Sequence, residues 1–94
     1  MERIFSKDEC SPDAKTLNEF EHENDIRISN EYPAITINYQ DWQETYFVST
    51  SGIYYMEERY CGVYENLYSF KNKEEYELHL KRTLIDNCDM QFLN

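Results

Sequence analysis

The stretch PAITINYQDWQETYFVSTSGIYYM, residues 33–56, decides the fold. Ile35, Ile37 and Tyr39 alternate with Thr36 and Asn38, a period of two that reads as a half-buried strand. Gln40-Asp41-Trp42-Gln43 reads as a hairpin loop into Thr45–Ser49. Ser51-Gly52 turns the chain again, and Ile53–Met56 makes another strand. Connections this short join antiparallel strands and cannot carry a parallel crossover, so a meander is expected.

Upstream, Ile26 and Ile28 alternate with Arg27 and Ser29 as a short strand before the turn Asn30-Glu31-Tyr32-Pro33. Ser11-Pro12-Asp13 opens a helix: a cap, a proline that loses nothing at the first position, and an acid at the positive end of the dipole. Ala14, Leu17 and Phe20 share its apolar face, Glu19, Glu21 and Glu23 point elsewhere, and it ends by Asn24. Residues 1–10 either tuck against the sheet through Ile4 and Phe5 or fray. Downstream, Gly62 weakens a strand, but Val63, Leu67, Tyr68 and Phe70 are suited to an edge strand or an irregular return. Asn72 with Glu75 is a capping-box signature. Tyr76, Leu80 and Leu84 then follow at helical spacing, with Leu78 and Ile85 widening the face. The expected fold is a single α+β domain over residues 1–94. It has an antiparallel meander of three to five strands, a short N-terminal helix, and a C-terminal helix on one sheet face. The other face is expected to be partly wet.

The chain has 94 residues, with 19 Asp and Glu against 9 Lys and Arg, for a net charge of −10. Aromatic content of 16% sets it apart from disordered acidic chains, because nine Tyr, five Phe and one Trp can build a core. No run reaches the ~18 apolar residues of a membrane span, and MERIFSKDEC has no apolar signal region. Direct nucleic-acid binding would need clustered Lys and Arg, which are absent. Cys10, Cys61 and Cys88 are an odd set without C-x-x-C spacing, which favours free thiols and a cytoplasmic location.

Metal and catalytic chemistry find little footing. Glu19-x-x-His22 and Glu75-x-x-x-His79 put a carboxylate and an imidazole within helical reach, but only one has the spacing of a carboxylate-bridged metal site. Both read as solvated helix residues, and no metal or cofactor is expected. No Cys or Ser sits in a nucleophile motif, and two glycines cannot form a phosphate-cradling loop. Glu57 and Glu58, as strand neighbours, point to opposite faces and cannot share a cleft. A non-enzymatic role is expected.

Charge placement carries more information. Residues 8–31 have a local balance of −6 and residues 40–65 one of −4, whereas the segment from Lys71 onward is nearly neutral. Several tyrosines interleave with these acids: Glu31-Tyr32, Glu44-Thr45-Tyr46, Tyr54 to Tyr60, and Tyr64-Glu65. Carboxylates beside aromatic contact area match an Arg-lined groove, although an acidic surface also serves plain solubility. In size, acidity and tyrosine content the chain resembles the small inhibitors carried by phages, anti-CRISPR proteins and other DNA mimics among them. No residue motif underlies that resemblance, so it transfers no functional residue. It implies an inhibitor of a basic, nucleic-acid-handling protein such as a defence nuclease, acting as monomer or homodimer. An immunity protein against a cognate toxin, or a small regulatory subunit, is the alternative. The expected contact strip is Tyr54, Glu57, Glu58 and Tyr60 with Asp41, Trp42 and Glu44. Glu19, Glu21 and Glu23 form a second patch.

Overall fold

A computed structural model describes residues 1–8, 14–61 and 63–92, with side chains described through Asp86. The elements are β1 (Glu2–Lys7), α1 (Leu17–Glu23), β2 (Ile35–Tyr39), β3 (Trp42–Val48), β4 (Tyr54–Tyr60), β5 (Tyr64–Phe70) and α2 (Lys73–Phe92). The five strands form one sheet, all pairs antiparallel, in the order β1-β5-β4-β3-β2. The expected α+β meander is therefore present, with the N-terminal segment added as a fifth strand beside β5.

The pleat sorts side chains into two sets. Toward α2 stand the cross-strand rows Ile35, Tyr46, Met56, Tyr68 and Ile37, Glu44, Glu58, Asn66. Toward α1 stand Thr36, Thr45, Glu57, Leu67, Phe5 and Asn38, Gln43, Arg59, Glu65, Lys7. Under α2, the buried cluster is Ile37, Tyr46, Met56, Phe70 and Tyr76, with Tyr54 and Leu80 packed against it. Under α1 it is Leu17, Phe47, Tyr55 and Leu67, with Ile4, Phe5, Phe20 and Ile26 around them. The second face is partly wet as expected at Thr36 and Asn38, but its β1–β5 part is covered by α1. All of Glu44–Ser49, in the interior strand β3, is buried. Each large side chain so enclosed contributes roughly 1.5–3 kcal/mol.

Several local readings also change. Helix α1 starts at Leu17 rather than near Pro12. Thr16 is its cap, accepting from the Glu19 amide at 3.1 Å, with the Glu19 carboxylate returning to the Thr16 amide as a full capping box. Ser11, Pro12 and Asp13 lie outside the described residues, and Ala14 is exposed ahead of the helix. Residues 26–29 do not form a strand. Asp25, in the left-handed region at φ 54°, turns the chain so that Ile28 makes a single bridge to Ser49. The hairpin loop shrinks to Gln40-Asp41, so Trp42 and Gln43 belong to β3. Residues 64–70 form an interior strand rather than an edge, since β1 pairs with it on one side and β4 on the other.

Helix α2 begins as read, with Asn72 Oδ1 accepting from the Glu75 amide at 2.9 Å. The reciprocal half of the capping box is replaced, because the Glu75 carboxylate pairs with the Met1 ammonium. The inner face is Tyr76, His79, Leu80 and Thr83, while Leu78, Leu84 and Ile85 are exposed. The predicted stripe missed this because the sheet beneath is partly polar, and His79 and Thr83 supply what it needs.

Candidate functional site

Helix α1 is held by charge as much as by oil. Arg59, on the face toward α1, donates to Glu57 at 3.0 Å, to Glu65 at 3.4 Å and to Asn18 Oδ1 of α1 at 3.0 Å. Glu65 also accepts from the Leu17 amide at 3.1 Å, at the start of the helix. Glu21, on the inner side of α1, faces Glu57, and its Oε2 is buried without a donor, so a proton on Glu21 is what allows the two carboxyls to hydrogen-bond. Desolvation, that bond and the Glu57 charge push Glu21 up to about 9, with Arg59 pulling the other way. Two carboxylates thus share one guanidinium, and the third, Glu21, is the one pushed toward its protonated form. Burial alone would lower Arg59, but Glu57, Glu65 and Glu21 together raise it.

Beneath α2 lies a second polar cluster. The Tyr46 hydroxyl reaches Glu44 at 2.7 Å, His79 Nδ1 at 2.8 Å and Thr83 Oγ1 at 3.0 Å. Tyr39 donates to the other Glu44 oxygen at 2.9 Å, and Asn66 donates to Glu58 at 3.0 Å. Burial, then the neighbouring carboxylates, hold both tyrosine hydroxyls well above their ordinary range despite the Thr83 bond to Tyr46. Burial also raises Glu58, helped by Glu44 across the strand and opposed by Asn66 and His79. The imidazole of His79 serves this network rather than pairing with Glu75, and His22 is exposed. Among the described residues no cluster of three or more His, Cys, Asp or Glu has the geometry to hold a metal ion.

The expected contact strip is divided by the pleat. Glu57 and Glu44 are only 8% and 6% exposed, on opposite faces, and Glu58 is half-buried. Tyr54 packs on Tyr76, ring centroids 5.1 Å apart. What does come together is the end of the sheet, where Tyr39, Trp42, Tyr60 and Tyr64 form one cross-strand row beside exposed Asp41. Trp42 and Tyr60 centroids lie 4.7 Å apart, and Tyr60 and Tyr64 5.8 Å. Of the second patch, Glu19 and Glu23 are exposed as expected, whereas Glu21 turns inward.

Surface charge is accordingly milder than composition suggests. Glu21, Glu44, Glu57, Glu58, Glu65 and Glu75 are all withdrawn from full exposure, against Arg59 and Lys7. Four of the exposed acids lie along α1 and the following loop. Over residues 19–32, Glu19, Glu23, Asp25 and Glu31 are exposed and Arg27 is the one Lys or Arg. Ile28 and Tyr32, 48% and 56% exposed, stand among them. Past this loop, Tyr32 and Pro33 border a groove of about 330 Å³ whose floor and far wall include Ile35, Val48, Tyr54, Tyr76 and Leu80. Sequence reasoning did not find the groove, since its walls come from a loop, three strands and α2.

The described residues thus form a five-stranded antiparallel sheet with one helix on each face and a polar cluster under each helix. No protein-family model, curated protein or solved structure matches the chain. Among the described residues no helix is long and apolar enough to cross a membrane.

Proposed function

We propose that the chain is a non-enzymatic protein-binding domain, an inhibitor of a basic, nucleic-acid-handling protein of the nuclease-effector kind, working in the cytoplasm. The observation that supports this reading is the segment 19–32, which exposes four carboxylates together with Ile28 and Tyr32. Carboxylates answer arginines of a nucleic-acid groove by paired hydrogen bonds, and the apolar pair supplies desolvated contact area. The local cations do not neutralise this surface. Arg27 pairs with Asp25 and Lys15 with Glu23, but these exposed pairs contribute little and exchange readily for a partner's guanidinium.

The test is affinity capture from host lysate with the wild-type chain and with Glu23→Lys/Glu31→Lys, followed by competition with duplex DNA. The expected result is a basic partner, displaced by DNA and by salt, and weakly held by the variant. Capture that is indifferent to the variant and to DNA overturns the proposal.

A further inference from the structure

The two edges of the sheet are built differently. Edge β1 carries Glu2, Arg3 and Lys7 and is broken by a register shift between Arg3 and Phe5, devices that discourage strand addition. Edge β2, Ile-Thr-Ile-Asn-Tyr, has no charge, proline or register shift.

Two backbone bonds fix which groups β2 leaves open. The Cys61 amide donates to the Asp41 carbonyl at 3.1 Å, and the Ser29 amide to the Val48 carbonyl at 2.8 Å. Antiparallel bonding alternates along a strand. Asp41 therefore faces β4, Val48 faces the β2 side, and Trp42, Glu44 and Tyr46 bond to Tyr39, Ile37 and Ile35. Thr36 and Asn38 are left with their amides and carbonyls directed outward, and no described strand lies beyond them.

From this we infer that β2 is a homodimerisation edge, pairing antiparallel with β2 of a second copy about a two-fold axis at Ile37. The strand is self-complementary in that register. Thr36 meets Asn38 of the other copy as a bonded pair on each side of the axis, so every outward group finds a partner. On the α2 face, Ile37 meets Ile37 and Ile35 meets Tyr39. Ile35, 37% exposed at the groove margin, would be covered. The register places Asp41 beside Pro33 and Gln40 beside Ala34, so no carboxylate opposes another despite a charge of −10 per chain. The inference is independent of the proposed inhibitor role.

The experiment is sedimentation equilibrium of the full chain from micromolar to millimolar concentration, with amide exchange at Thr36 and Asn38. Expected are a dimer, amides that gain protection as it forms, and a monomeric Asn38→Pro variant with unchanged circular dichroism. Proline is tolerated there because the lost N–H faces outward. Should that variant unfold, wild-type exchange still decides. A monomer at all concentrations, or a dimer in which both amides exchange freely, overturns the inference. So does protection that appears only when a foreign partner is added.

Discussion

Glu44 and Glu58 stand directly opposite one another on β3 and β4, beneath α2, and each is held by its own donors. Glu44 takes hydroxyls from Tyr39 and Tyr46, and Glu58 takes the Asn66 amide. Like charges facing across a ladder are unfavourable, so those donors are what makes the pair tolerable. Tyr46→Phe removes a bond to each of Glu44, His79 and Thr83 while conserving shape. It should cost about 2–3 kcal/mol in urea denaturation, since a buried carboxylate loses a donor. Tyr39→Phe should cost less, being only half-buried.

Arg59→Met strands the acids it serves. Glu57 is 8% exposed and would lose its guanidinium, and Asn18 would lose the tie that holds α1 to the sheet. Removing one partner from a buried charge cluster typically costs ~3–5 kcal/mol. Hydrogen exchange should show Leu17–Glu23 losing protection before α2 does.

The pH dependence follows from acids in both clusters and at the start of α2. Glu21 is an acid raised in the fold to about 9, and Glu58 is raised as well, both by burial first. Above the ordinary carboxylate range the unfolded chain therefore binds fewer protons than the fold, and stability falls as pH rises toward about 9. Glu75 is lowered, first by its bond to the Met1 ammonium, so its contribution is present above its unfolded value and is lost as pH falls through its folded value. Thermal melts should thus peak near mildly acidic pH. Glu21→Gln should flatten the alkaline side and raise the melting temperature there.

Asn72→Ala tests the start of α2. Its Oδ1 holds the Glu75 amide at 2.9 Å, and losing such a cap costs about 1 kcal/mol. The double variant Glu23→Lys/Glu31→Lys should by contrast change stability by less than ~0.5 kcal/mol, because both side chains are exposed.

How far the fold was legible depends on where pattern and environment agree. Ile35, Ile37 and Tyr39 alternate because one side of β2 is covered, and Met56 reads as core and is 1% exposed. Where both faces are covered, alternation disappears. Glu44, Glu57, Glu58 and Arg59 look like surface residues in sequence, and only the tertiary arrangement pairs them across strands and under helices. The contact strip is divided for that reason, whereas Asp41, Trp42 and Tyr60 stay together because all lie at one end of the sheet. The inward turn of Glu21 had a faint signal: it follows Phe20 and Leu17 at i+4 from Leu17, on the helix's inner face.

The sheet separates two hydrophobic clusters that never mix: Tyr46 and Met56 belong to one, their chain neighbours Phe47 and Tyr55 to the other. A methyl group lost on one side leaves a hole that the opposite side cannot fill, because a layer of hydrogen-bonded backbone intervenes. Changes on the two sides should then sum rather than compound, as they do for sites without shared neighbours. The two sides of the sheet can therefore change on separate evolutionary clocks, each constrained by its own buried cluster.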